Sequence, residues 1–267
     1  MPAAPQPLSR ADLRRVQAVF TDVDGTLTTK GLFGSKVLAA IERLDAAGVK
    51  VVLVSGRPAG WGECWARQLP VAGVIVENGG LAFVMKQGRL ERLYAQSAAV
   101  RRRNRPRLRQ LVARAMKQVK GARLSSDSAY TEVDLAIDHA EDVSLGPKAA
   151  QALEDFLRAH GASAVRSSVH VNCWLGRFDK RSAVNQFLRQ VWKTRLAEGE
   201  ARYVYAGDSL NDAPMFDAFP LSVGVANVLD VLTLLDAPPK FVTRAREGQG
   251  FLELADAVLA QRRGSAR

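Results

Sequence analysis

The sequence predicts an α/β protein, a Rossmann-like doubly wound parallel sheet core with an inserted α+β module. Three observations carry this reading. Short apolar runs alternate with helix-periodic stretches over residues 17–83. The pattern then changes to a hairpin, a basic helix and strands of alternating polarity. It resumes after Gly176. Strand, helix, strand order calls for parallel pairing through right-handed crossovers. The expected division is a discontinuous core, 15–83 and 176–262, around an inserted module at 84–175. Residues 1–14 and 263–267 are expected to be disordered.

In order, Gln17–Phe20 and Val49–Val54 read as buried strands. Between them, Val37, Leu38, Ile41 and Leu44 have helical spacing, with Ser35 as N-cap and Gly48 just past the end. Val71–Val76 is a third strand, closed by Glu77-Asn78-Gly79-Gly80. Leu81–Met85 and Arg89–Tyr94 suggest a hairpin, and a basic helix is expected over roughly 105–119 after an irregular start at Pro106. Glu132–Asp138 alternates like a half-exposed strand; 146–160 reads as a helix and Val165–Leu175 as a further strand. Lys180–Trp192 is helical, followed by strands at 203–206, 221–225 and 240–243 and a closing helix over 251–262.

With 267 residues, 47% of them hydrophobic, the chain can bury one large or two medium cores. Two cysteines, Cys64 and Cys173, do not make a disulfide framework and read as buried free thiols. The N-terminus lacks an apolar signal core and no apolar run approaches membrane-spanning length, so a cytoplasmic protein with no membrane partner is expected. The net charge of +11 is local: residues 101–123 hold ten basic residues and no acidic one, and without them the charge is +1. No aromatic residue lies among them to stack bases. A solvated helix face is the favoured reading, ahead of attraction of an anionic substrate and of nucleic-acid binding.

Chemistry enters with Asp22-Val-Asp24-Gly-Thr26, directly after the first strand. Positions i and i+2 of a strand point the same way, so Asp22 and Asp24 face one centre. A carboxylate pair there is costly to desolvate and implies a cation or a chemical task. Asp-Gly also makes ordinary turns. A calcium loop is excluded, because Phe33 stands where the twelfth-position Glu would be. Ser55-Gly56-Arg57 follows the second strand, Lys180 opens a helix, and Gly207-Asp208-Ser-Leu-Asn211-Asp212 follows a later strand. In an open parallel sheet ligands bind beyond the carboxyl ends of the strands, which would bring these groups together. The residue types suit phosphoryl transfer: carboxylates for Mg²⁺ and for nucleophilic attack, and hydroxyl and ammonium groups for the phosphoryl oxygens.

Thr21-Asp-Val-Asp-Gly-Thr26, Leu53-Val-Ser-Gly56, Lys180 and Gly207-Asp-Ser-Leu-Asn-Asp212, in that order, resemble the four motifs of the haloacid dehalogenase-like superfamily. The resemblance is to its Mg²⁺-dependent phosphatases and spans about 17–260. It implies Asp22 as nucleophile and metal ligand, Asp24 as general acid/base with its backbone carbonyl on the metal, and Ser55 and Lys180 on the phosphoryl group. Asp208 would complete the metal site; Asp212 reads either as the N-cap of the helix that carries Pro214 or as a direct or indirect partner of the metal. Retention of Asp24 points to a phosphatase rather than a dehalogenase, whose halide needs no proton. The insertion between the second and third motifs resembles a type-two cap, as in the Cof-like sugar phosphatases. The implied substrate is a small phosphorylated metabolite, a sugar phosphate first. Other readings are a phosphoglycerate derivative, nucleotide or cofactor phosphate, or a non-catalytic RNA- or anion-binding protein. Gly56, Arg57, Asn78, Asn211 and the cap residues His170 and Asn172 are the expected substrate contacts. Glu132 and Asp134 share a strand face, and Tyr130 and Trp174 read as packing residues.

Overall fold

Ala18–Thr21 is buried along its whole length and is the strand on which a nine-stranded sheet is assembled. The computed structural model describes residues 4–167, 169–197 and 202–265. The strands are β1 (Gln6–Pro7), β2 (Ala18–Thr21), β3 (Thr28–Thr29), β4 (Leu32–Phe33), β5 (Lys50–Val54), β6 (Gly73–Val76), β7 (Leu81–Lys86), β8 (Arg89–Tyr94), β9 (Arg123–Leu124), β10 (Asp134–Asp138), β11 (Ser163–Arg166), β12 (His170–Trp174), β13 (Tyr203–Gly207), β14 (Leu221–Gly224) and β15 (Phe241–Val242). The helices are α1 (Ser35–Ala46), α2 (Ala59–Gln68), α3 (Ala98–Met116), α4 (Pro147–Ala159), α5 (Lys180–Phe187), α6 (Ala213–Ala218) and α7 (Glu247–Ser265).

The large sheet runs β1-β15-β14-β13-β2-β5-β6-β7-β8, parallel from β1 to β6 and antiparallel at β7 and β8. Alternation along β2 feeds two cores. Val19 joins α1 and α7 on one face, while Ala18 and Phe20 join α5 and α6 on the other. Phe20 sits 5.5–6.4 Å, centroid to centroid, from Phe187, Trp192, Tyr203 and Phe219.

A second, antiparallel sheet has the order β11-β12-β10-β9. Leu135, Ile137, Val171 and Cys173 pack from it against α3 and α4. The period of two sends Asp134, Asp138, His170 and Asn172 to its other face.

Several expectations change. The hairpin of β7 and β8 is hydrogen-bonded into the large sheet, so the boundary at 83/84 cuts through that sheet and the second sheet's segment starts with α3. The segment 132–138 is not half-exposed: Asp134 and Asp138 are 1% and 0% exposed, because that face lies against the rest of the molecule. Val165–Leu175 is two strands of a hairpin. α3 begins seven residues earlier than expected, where the Ser97 side chain accepts from Val100 N, and passes through Pro106. Proline removes one helical donor. Leu108, Leu111, Val112 and Ala115 hold the helix regardless, as does Arg105, which donates to the carbonyls of Thr131 and Asp134. Gly34, not Ser35, is the N-cap of α1. Cys64 is exposed; only Cys173 is buried.

Residues 4–14 are ordered, against expectation. Gln6 N donates to Lys240 O at 2.8 Å, β1 pairs with β15, and Leu8, Leu13 and Val16 enter the core. At the other end α7 continues to Ser265; residues 1–3 and 266–267 lie outside the described residues. Among the described residues no helix is long and apolar enough to cross a membrane.

Phe20→Ala should cost about 3–5 kcal/mol, because it opens a cavity among four aromatic rings. Leu32→Ala, at a side chain 73% exposed, should stay within about 0.5 kcal/mol. Urea unfolding of the two variants measures both.

Candidate active site

β2 lies between β5 and β13, so the residues just past three strand ends, Asp22, Ser55 and Asp208, meet at one edge. Register is tight there, with Asp22 N donating to Ala206 O at 2.8 Å. Two glycines give the carboxylates room. A Cβ on Gly25, where φ is +78°, would stand 2.6 Å from Asp208 Oδ2, and one on Gly207 would stand 2.7 Å from Asp212 Cγ.

Lys180 is the first residue of α5, whose N-terminus is closed by reciprocal Asp179 and Ser182 capping bonds. The ammonium is buried and donates to Asp22 Oδ1 and Asp212 Oδ1, both at 2.7 Å, and to Asn211 Oδ1 at 3.3 Å. Burial works against its charge, but Asp212 and Asp22 more than compensate and push it above the ordinary lysine value. Burial drives the Asp22 carboxyl up to about 7, opposed by Lys180 and reinforced by the charge of Asp212. Asp208 is likewise raised well above the usual carboxylate range, by burial and then by Asp22 and Asp212.

Each acid is held differently. Asp208 accepts from Thr26 Oγ1 at 2.9 Å and Asn227 Nδ2 at 2.8 Å; Asn227 also donates to Gly25 O at 3.0 Å. Asp212 Oδ1 accepts from Lys180 and, at 2.6 Å, from the Tyr205 hydroxyl. Its Oδ2 accepts from the backbone N–H groups of Asp208 and Ser209 at 3.0 and 3.1 Å. Asp212 thus braces the ammonium and the 208–209 turn, while Asp22 and Asp208 keep more free acceptor capacity.

One oxygen each of Asp22, Asp208 and Asp212 lie within 4.8 Å of one another. Two of the three carboxylates, Asp22 and Asp212, share the Lys180 ammonium, and the donors are all oxygen. A hard divalent cation such as Mg²⁺ fits this set and would relieve the repulsion that adds to burial in raising Asp22 and Asp208.

Asp24 is turned to Arg57, which donates from Nε and Nη2 to its two oxygens, both at 3.0 Å. Arg57 also reaches the second sheet's segment, donating to Glu141 Oε1 at 3.0 Å, with Asp127 Oδ2 3.7 Å away. His170 Nε2 stands 2.8 Å from the other oxygen of Glu141. Ser55, Gly56, Asn211, His170 and Asn172 line one narrow cleft with Asp22, Asp24 and Arg57. Beside it, reached past Asp24 and Asp208, is a cavity of about 710 Å³ whose walls include Lys30, His139, Arg166 and Arg246.

Asn78 is the expected contact that stands apart. Its amide lies behind Gly56 and donates to Asp134 Oδ2 at 3.1 Å. Glu132 accepts from the Tyr94 hydroxyl at 2.5 Å. Trp174 stacks on Phe178 as a packing residue, but Tyr130 is 63% exposed. The Arg-rich α3 covers the face of the second sheet away from His170 and Asn172, and its Arg101 stacks on Tyr94.

Thr26, Tyr205, Asn227, Glu141 and Glu77 were not singled out from sequence. Asn227 lies three residues past the end of β14, so the strand-end rule could have flagged it. Glu141 carries no local signal.

The chain has an α/β fold with an inserted second sheet. Residues 19–102 match the haloacid dehalogenase-like hydrolase family. Among solved structures it is similar to protein 0175 of Thermoplasma acidophilum: 21% identity, 91% of this chain and 98% of that one covered, TM-score 0.70. It is similar to the sucrose-phosphatase of Synechocystis sp. PCC6803, solved with sucrose and phosphate, at 16% identity, 92% and 98% coverage and TM-score 0.64. A third is the C-terminal domain of C. albicans trehalose-6-phosphate phosphatase, at 14% identity, 96% and 99% coverage and TM-score 0.68.

The raised Asp22 carboxyl has a signed consequence. Its folded value, about 7, exceeds the ordinary 3.8, so its stabilising contribution is present below about 4 and is lost as pH rises through about 7. The metal-free protein should lose stability over that window, and Asp22→Asn should remove this component. Mg²⁺ should raise the melting temperature more at pH 8 than at pH 5. Calorimetry of both proteins with Mg²⁺ or EDTA measures this.

Proposed function

We propose that this chain is a Mg²⁺-dependent phosphomonoester hydrolase that works through an aspartyl-phosphate on Asp22. The observation that carries the reading is the Lys180 ammonium held between Asp22 and Asp212, with Asp208 alongside. Asp22 and Asp208 would hold Mg²⁺. When bound, the ion would neutralise charge on the carboxylates and on the phosphoryl oxygens.

Lys180 binds Asp22 Oδ1, which leaves Oδ2 to attack phosphorus. A bond forms between that oxygen and phosphorus as the bond to the leaving oxygen breaks. Asp24 gives a proton to the leaving alkoxide. In the second half Asp24 takes a proton from water, whose oxygen bonds to phosphorus and displaces the Asp22 carboxylate. The sum is ester plus water giving alcohol plus phosphate, with Asp24 reprotonated at the end. Ser55 Oγ, Lys180 and Arg57 would meet the phosphoryl oxygens.

Arg57 occupies both Asp24 oxygens in this structure, so Asp24 must leave it before moving a proton. A phosphoryl dianion in the cleft would compete for the guanidinium and free the acid.

The sugar-phosphate reading draws support from the phosphatase neighbours and from a cavity of metabolite size. Among the described residues its walls mix charged and polar side chains with small and aliphatic ones and hold no tryptophan, tyrosine or phenylalanine to stack a base. His170 and Asn172 would then contact the leaving group from the second sheet, and an exchange of Arg57 partners would accompany closure over it. A cytoplasmic setting fits such a metabolite.

Asp22→Asn should lower Mg²⁺-dependent hydrolysis of 4-nitrophenyl phosphate by about a thousandfold or more, and EDTA should abolish it in the native enzyme. Turnover near normal in that variant would overturn the mechanism. Asp24→Asn should slow alkyl phosphates by about a hundredfold or more and slow the aryl ester less, since nitrophenolate leaves without a proton. Steady-state kinetics on both ester types reads this difference.

A further inference from the structure

Glu77 has no exposed surface, and its carboxylate makes no ion pair among the described residues. Four backbone N–H groups surround it. Oε1 accepts from Ala59 at 2.9 Å and Glu132 at 2.8 Å; Oε2 accepts from Val133 at 2.6 Å and Asp134 at 3.0 Å. Ala59 opens α2 just past the Ser55–Arg57 loop. The other three donors belong to the segment that enters β10.

The turn around Glu77 ties in more of the site. Glu77 N donates to Arg57 O at 3.0 Å, Asn78 N to Ser55 O at 3.3 Å, and the Asn78 amide to Asp134. Gly79 packs so closely on the start of α5 that a Cβ there would lie 2.2 Å from Asp179 O, one residue before Lys180. Glu77 and Asn78 both have left-handed φ, +50° and +55°. Two successive non-glycine residues keep that conformation only where surrounding contacts over-determine it.

A buried carboxylate is a costly way to fill space. This one joins the phosphate-facing loop to the foot of β10. From Asp134 the strand rises about 13 Å over four steps to Asp138. The Asp138 carboxylate accepts from Ala140, Glu141 and Asp142 N at 2.9–3.1 Å. That turn delivers Glu141 to Arg57 and His170.

We propose that Glu77 is a positioning residue: by pinning the foot of β10 to the Ser55–Ala59 loop, it sets where the second sheet's Glu141, His170 and Asn172 stand over the carboxylate cluster. The part that concerns turnover rests on the phosphatase reading; the part that concerns placement does not.

Glu77→Gln keeps the shape, but its NH₂ faces two N–H groups it cannot accept from. Amide hydrogen exchange should rise roughly tenfold in peptides covering 132–142 and 170–174, with 18–21 and 50–54 unchanged. With 4-nitrophenyl phosphate, KM should rise about fivefold or more while kcat stays within about threefold. Glu141→Gln stands far enough away for independent effects to add. If Glu77 acts through the β10 turn, the double variant should instead have a KM no worse than the more affected single variant. Equal loss of protection in both sheets would mark plain destabilisation and overturn the proposal, as would unchanged exchange at 132–142 or additive effects on KM. Should Glu77→Ala fail to fold, the Gln variant still decides. Should Asp22→Asn keep full turnover, the phosphatase reading fails while the exchange result still tests placement.

Discussion

Lys180 between Asp22 and Asp212 is the contact on which the rest of the site depends. It joins carboxylates from the two separate stretches of the large sheet through an ammonium from a third segment. Three acids converge within 4.8 Å, an arrangement that is strongly repulsive unless cations share it. The fold supplies one cation in Lys180. The divalent ion proposed above would be the second. Tyr205, Asn227, Thr26 and the 208–209 backbone complete the arrangement by satisfying the lone pairs that neither cation takes.

Arg57 imposes a second constraint. One guanidinium serves Asp24 on the large-sheet side and Glu141 on the other, so Asp24 and the second sheet share a partner. Whatever draws Arg57 away changes both at once. Under the proposed mechanism this would link occupancy of the phosphoryl site to the state of Asp24.

The core strands and the catalytic cluster were legible because each rests on local pattern: an apolar run, then chemistry at its carboxyl end. Asp22, Asp24, Ser55 and Asp208 all obey that grammar, while Lys180 was legible as the residue that opens a helix. What was not legible depends on partners remote in sequence. The half-exposed reading of 132–138 failed because polar side chains that alternate with apolar ones usually face water, and here they face another part of the protein. Pro106 hid a helix that side-chain burial and Arg105 sustain. Residues 4–14 are too short and mixed to signal order, yet β15 captures them. Asn78 looked like a site residue by its neighbours in sequence and proved to be a brace.

The sheet order has a consequence for how the molecule is made. β2 lies between β5, which follows it closely, and β13, which follows after about 180 residues. At about 5–20 residues per second, a ribosome takes roughly 10–40 s to cover that distance. Throughout that interval one edge of β2 has no partner and Asp22 has no Asp208 beside it, while Lys180 is made only shortly before β13. The second sheet, with its own apolar core of α3, α4, β10 and β12, is complete before β13 emerges. The nascent chain thus holds every residue of the second sheet before β13 exists, and Asp22 has been made well before Lys180, whereas Asp208 and Asp212 follow it.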